Sequence, residues 1–165
     1  ILFNADPGEI FVVRNVAALV PPYSPDSSHH GTSSAIEFAV KDLGVREIVI
    51  LGHHQCGGVQ AMRSIHQGNK LEDREFIGAW MALAEDACAM HGADDPGSEA
   101  AVEMATIKTS IRNLKGFPWI QSRVDDGSLR LHGWWFDINT GNMLAHDPKT
   151  GQFSIVDSVP DLMGK

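Results

Sequence analysis

Glu47-Ile48-Val49-Ile50-Leu51-Gly52-His53-His54-Gln55-Cys56-Gly57-Gly58 runs an apolar strand straight into a His-x-x-Cys pair and two glycines. A strand end fixes His53 on a rigid element. The short step to Cys56 lets an imidazole and a thiolate converge on one soft-to-borderline cation such as Zn2+. Gly57 and Gly58 leave backbone N–H groups uncovered at the start of the next helix, where an anion is favoured. Two ligands do not complete a site, because a structural zinc takes four protein ligands and a catalytic zinc three plus a water. In isolation the same two residues also read as a core histidine and a buried free thiol.

Working outward, Val45 to Leu51 suits a central strand covered on both faces. Before it, Ala35, Ile36, Ala39, Val40 and Leu43 recur at helical spacing, with Thr32 or Ser33 as N-cap and Gly44 as the stop. Earlier still, Ile10 to Val16 is rich in β-branched and aromatic residues and predicts a mostly buried strand, with Pro21-Pro22-Tyr23-Ser24-Pro25 as an extended loop after it. Strand, helix, strand predicts a right-handed crossover and a parallel sheet. Gly57 to His66 follows as a helix, so His53 and Cys56 fall at the carboxyl end of a parallel strand, where open α/β sheets build their sites.

Downstream, Glu72 to His91 predicts one long helix, Asp94 to Gly97 break it, and Ser98 caps another helix reaching past Leu114. Phe117 to Ile120 opens a short helix ending near Asp126-Gly127. Ser128 to Ile138, Asn142 to His146 and Gln152 to Val156 then read as a strand meander. The fold class predicted is α/β, a mostly parallel central sheet flanked by helices, with the meander at its edge, in one domain over residues 1–165.

The 165 residues carry a net charge of −8, which argues against a general nucleic-acid binder. No apolar run approaches the ~20 residues of a membrane span, and no secretory signal is visible. Two cysteines at unrelated spacing, Cys56 and Cys88, predict a reducing compartment rather than a disulfide framework, and the cytoplasm is the expected location. His54 is expected to face solvent or a channel mouth, His29 and His30 to serve loop hydrogen bonds, and His132 to be a satisfied core histidine. Arg14 and Asn15 are expected in a polar network or an interface.

Pro7 to Ala17, Val20-Pro21-Pro22-Tyr23, His30 to Val40, Gly52 to Gly58, and Leu129-Arg130-Leu131-His132-Gly133-Trp134 followed by Phe136-Asp137-Ile138 occur in that order. Together they resemble the β-class carbonic anhydrases, with Val-Pro-Pro-Tyr and the Phe38 region looking like the plant-type branch. The resemblance implies a zinc-dependent enzyme that hydrates CO2 reversibly to bicarbonate and a proton by zinc-bound hydroxide. It assigns His53 and Cys56 as metal ligands. It further assigns Phe11, Val16 and Phe38 as a CO2 pocket, Phe38 standing where plant-type relatives have tyrosine, and Gly57 and Gly58 as the N–H groups meeting bicarbonate.

The family's other cysteine ligand and its Asp/Arg dyad belong to a Cys-x-Asp-x-Arg motif expected upstream of Ile1, so the catalytic residues are not assigned within this sequence. The chain opens on Ile1-Leu2-Phe3-Asn4 with no initiator Met and is expected to lack the N-terminal part of its parent. An arginine-linked regulatory bicarbonate site known in one branch is not expected, because Phe136 stands where that branch has tyrosine. The resemblance also implies a homodimer or higher homo-oligomer, with no nucleic-acid or membrane partner. The alternatives are a non-catalytic or metal-free module of the same fold and a CS2 or COS hydrolase on the same scaffold.

Overall fold

The structure, a computed structural model, describes residues 3, 5–69, 74–91 and 98–156. Its sheet has the order β1-β2-β3-β4, made of Glu47–His53 (β1), Arg130–Phe136 (β2), Met143–His146 (β3) and Phe153–Ile155 (β4). β1 and β2 pair in parallel from Glu47 opposite Arg130 to His53 opposite Phe136, whereas β2–β3 and β3–β4 are antiparallel. The α/β class therefore holds and the meander lies at the sheet edge. The parallel part, however, is a single pairing among the described residues, and the mostly parallel sheet expected from the sequence is met only there.

That difference traces to Ile10–Val16, which is not a strand. Ile10, Phe11, Val12 and Val13 are exposed, and Val16–Ala18 form one 3-10 turn instead. β-branched residues report a fit to a pleated, half-buried surface, and among the described residues no strand pairs with this segment to supply one. Asn15 ends the extended path. Its Oδ1 accepts the Leu19 N–H at 3.0 Å and its Nδ2 donates to the Leu19 carbonyl at 2.8 Å. The segment closes into an elbow in which Ala17 and Ala18 sit in the left-handed region at φ 63° and 51°.

The first helix, Gly31–Glu37 (α1), starts one residue before Thr32, with His30 at the N-cap and no side-chain cap. It continues as a π-helical turn over Phe38–Asp42, closed by the Leu43 N–H donating to the Phe38 carbonyl at 3.0 Å, and Gly44 stops it at φ 66°. Gly57–His66 (α2) has the bounds read from the sequence. The predicted long helix instead consists of Ile77–Met81 (α3), a 3-10 turn over Ala82–Ala84, and Glu85–His91 (α4), its expected first residues lying partly outside the described ones. The Asp94–Gly97 break also lies outside them. Ser98–Lys115 (α5) and Pro118–Asp125 (α6) complete the order.

α5 positions everything else. It packs on β1 and β2 and contributes Val102 and Ala105 to one apolar cluster, with Cys56, Val59, Met62 and Cys88, and Ile107 and Leu114 to a second, with Ile50, Ile120 and Trp135. The strands accept this helix closely because they carry glycine at the contact. A Cβ at Gly52 would stand 2.7 Å from Ile107 Cδ1, and one at Gly133 2.8 Å from Ile107 Cγ2.

Candidate metal and substrate site

The parallel pairing carries β1 and β2 to a common carboxyl edge, where the His54 N–H donates to the Phe136 carbonyl at 2.9 Å. His53, the last residue of β1, is exposed, and its Nδ1 lies 2.9 Å from the His54 carbonyl oxygen. A carbonyl only accepts, so Nδ1 carries the proton and Nε2 keeps a lone pair for a metal. This is the backbone support that metal-binding imidazoles use to fix tautomer and ring orientation.

Cys56 follows a left-handed Gln55, at φ 57°, and occupies the N-cap of α2 without making a side-chain cap bond. Ser, Thr, Asp or Asn at this position would ordinarily spend its side chain on the helix; here a thiol takes the place. An imidazole with a free Nε2 and a thiol at one strand end suit zinc in donor type. Among the described residues no group of three His, Cys, Asp or Glu is gathered. The other cysteine, Cys88, is fully buried between Ala87 and Ala89 in α4, and burial pushes its thiol up.

Sequence reasoning missed Glu103. This α5 residue is 2% exposed; its Oε1 accepts the Cys56 N–H at 2.8 Å and its Oε2 accepts Trp135 Nε1–H at 2.9 Å. Burial pushes its carboxyl up, against the lowering effect of those two hydrogen bonds. A charged residue in an otherwise apolar helical run was the only signal available.

His54 does not turn freely outward. Its ring packs edge-on against Trp135 at 5.7 Å, with Nδ1 3.1 Å from Asn139 Nδ2 and 3.5 Å from Asp137 Oδ1. Asp137 is held below the usual carboxylate range by hydrogen bonds from Thr140 and Asn139. His132 is the satisfied histidine expected, its Nε2 2.8 Å from Glu47 Oε2, and it sits toward the far end of the strands.

The apolar wall residues fall into two groups. Phe11 and Phe38 bring their rings within 6.0 Å, both about half exposed. Val16 lies instead against α2, where a Cβ on Gly58 would stand 2.5 Å from its Cγ1. The elbow carrying Val16 is pinned from three directions. Trp80 Nε1–H donates to the Val16 carbonyl at 2.9 Å, the Ser110 hydroxyl donates to the Ala18 carbonyl at 2.9 Å, and Asn113 Nδ2 donates to the Val20 carbonyl at 2.8 Å. The network role foreseen for Asn15 is thus realised, whereas Arg14 is exposed. The two glycines also separate: Gly57 has nothing within 4 Å of where a Cβ would stand, whereas Gly58 is required by the elbow.

A family model described as carbonic anhydrase matches residues 1–143. The solved β-carbonic anhydrase CcaA superposes with a TM-score of 0.84 at 26% identity, over 95% of this chain and 71% of that one. The chain belongs to the β-class carbonic anhydrases. It is 35% identical to a carbonic anhydrase of Pseudomonas aeruginosa over 98% of its own length and 73% of the relative's. It is 37% identical to the chloroplastic β-carbonic anhydrase 5 of Arabidopsis thaliana, over 80% of this chain and 44% of that relative, so it spans less than half of that protein. No helix among the described residues is long and apolar enough to cross a membrane.

Proposed function

We propose that this chain carries part of a zinc-dependent carbonic anhydrase site, one that hydrates CO2 reversibly to bicarbonate and a proton, without one expected zinc ligand and the Asp/Arg dyad. The observation that carries the reading is His53 at the end of β1 with Nδ1 committed to a carbonyl and Nε2 free, followed after one tight turn by the Cys56 thiol at the N-cap of α2. Zinc, when bound, supplies a Lewis acid that makes water a usable nucleophile near neutral pH. His53 and Cys56 would supply two of its ligands, the third ligand and the Asp/Arg dyad being those that the family resemblance places upstream of Ile1.

Phe11, Val16 and Phe38 offer apolar surface to CO2, which has no net dipole and needs little polar anchoring. Phe38 stands at the junction of α1 with the π-helical turn, a distortion that often marks functional positions. The Gly57 and Gly58 N–H groups at the start of α2 favour the bicarbonate anion as it forms.

Exposed Ile10, Phe11, Val12 and Val13 form an apolar row that a second copy of this chain would cover. A homodimer or larger homo-oligomer accounts for β-branched residues that pair with no strand among the described residues. The proposed setting is the cytoplasm, and the proposed partners are CO2 and bicarbonate.

The test is zinc content by mass spectrometry together with CO2 hydration by stopped flow, on the chain and on His53→Ala. Zinc retained by the parent and lost from the variant is expected. A parent that takes up no zinc, alkylates freely at Cys56 in the presence of zinc and hydrates no CO2 would overturn the reading.

A further inference from the structure

We propose that Glu103 is a positioning residue of the site, holding the Cys56 main chain so that its thiol is directed at the ion. The purpose of this support rests on the metal reading above; the support itself is in the geometry. Glu103 is almost wholly buried and spends both carboxylate oxygens at one place, Oε1 on the Cys56 N–H and Oε2 on the indole N–H of Trp135. A carboxylate in such surroundings is costly to the fold, and an apolar side chain of similar size would be less so. The position is therefore poorly explained by packing. Its two partners lie on the β1–α2 turn and on β2, and the ring of the second packs against His54, neighbour of the other metal ligand.

The turn needs outside support for a specific reason. Gln55 is left-handed, a conformation that disfavours an L side chain, and Cys56 follows at φ −72°, ψ 112°. A residue at the N-cap usually steadies the helix start with its own side chain, but a thiol reserved for a metal cannot do so. Glu103 reaches from α5 to accept the N–H of the N-cap residue itself, the bond that a Glu in the first turn makes in a capping box, and places negative charge at the start of α2, where the helix dipole favours it.

The two oxygens give the experiment its logic. Glu103→Gln offers one acceptor and turns an amide N–H toward a donor, while Trp135→Phe removes the donor. In a Cys88→Ala background, Glu103→Leu, Glu103→Gln and the double variant Glu103→Gln with Trp135→Phe are compared with the parent, their folding checked by circular dichroism. The first reading is cobalt(II) affinity from the thiolate-to-cobalt charge-transfer band. The second is the rate of Cys56 alkylation by iodoacetamide in metal-free protein.

Glu103→Leu is expected to lose roughly 10–100-fold in cobalt affinity and to alkylate severalfold faster. Glu103→Gln should fall between, and the double variant should recover toward the parent on both readings. A merely space-filling role gives no recovery, because removing the indole as well only adds damage. Parent-like cobalt affinity and alkylation in folded Glu103→Leu, or a double variant worse than Glu103→Gln on both, would overturn the proposal. A parent without the charge-transfer band would count against the metal reading alone, and the alkylation rates would still decide the role of Glu103.

Discussion

Gly57 and Gly58 are adjacent in sequence and in the first turn of α2, yet alanine at the two positions should have opposite effects. At 58 the new Cβ would lie 2.5 Å from Val16 Cγ1, 3.2 Å from Ala17 Cβ and 3.3 Å from the Ala17 nitrogen. Val16 is 44% exposed and can turn its side chain aside. Ala17 cannot follow, since its backbone is left-handed and the bonds made by Asn15 and Trp80 fix the chain on either side of it. Overpacking of this kind costs about 1–3 kcal/mol, offset by about 0.5–1 kcal/mol from removing a helical glycine. The net loss centres on roughly 1 kcal/mol, or about 2–4 °C in melting temperature for a chain of this size. At 57 nothing lies within 4 Å, so only the favourable helix contribution remains. Melting followed by circular dichroism should show Gly58→Ala below the parent and Gly57→Ala at or above it. If Val16 forms the CO2 wall proposed above, stopped-flow kinetics should place a rise in KM for CO2 on Gly58→Ala alone, because only that change displaces Val16. Gly58→Ala melting at or above the parent, with Gly57→Ala falling, would refute the claim that the elbow is what requires glycine.

Ile107 fills the space that Gly52 and Gly133 leave, so Ile107→Ala should lower stability by about 2–5 kcal/mol and Ile107→Val by about 0.5–1.5. Urea unfolding with an unchanged m-value checks this, and an alanine variant no worse than the valine variant would contradict the packing described. At the opposite end of the strands, burial would raise the Glu47 carboxyl, but hydrogen bonds from Arg130 and His132 outweigh it and hold the group below its ordinary range. A depressed acid stabilises the fold above its unfolded pKa and loses that contribution as pH falls through the folded value. The stability gap between the parent and Glu47→Gln should therefore be present near pH 6 and shrink toward about pH 3; a gap that widens on acidification would show the sign to be wrong.

The parts of the molecule legible in the sequence are those whose cause is local. β1 shows as a continuous apolar run, α2 as a glycine start with helical periodicity, and the meander as alternating segments between Thr140-Gly141 and Thr150-Gly151 turns. The positions of His53 at the strand end and Cys56 at the helix start were legible for the same reason, their spacing being set by one strand end and one turn. Ile10–Val16 misled because β propensity says that a segment suits a sheet and says nothing of whether a sheet edge is available. The decisive contact there is the Asn15 bond to Leu19, whose elbow is completed by Trp80, Ser110 and Asn113 from 60 to 95 positions away. The long helix expected from Glu72 broke into pieces because periodicity marks a buried face and not the continuity of the backbone beneath it.

The residues that escaped the sequence reading share one element. α5 buries Glu103, Thr106, Thr109 and Ser110 alongside its apolar side chains, while Lys108, Arg112 and Lys115 stand exposed on one face. The buried face of such a helix would ordinarily be apolar. Three of these polar groups have identified partners. Thr106 turns back on its own helix to the Val102 carbonyl, whereas Ser110 and Glu103 reach out to bind loop backbone, at Ala18 and Val20 in one case and at Cys56 in the other. Those two loops are the ones that carry Val16 and the thiol. Irregular backbone lacks the ladder of bonds that fixes a strand or helix, and buried backbone groups must still be paired. A rigid helix packed on both site-bearing strands can pair them and set their position in one step. The polar interruptions of α5 thus connect the local motif to the fold, and their purpose becomes visible only when the chain between residues 15 and 56 has been laid against them.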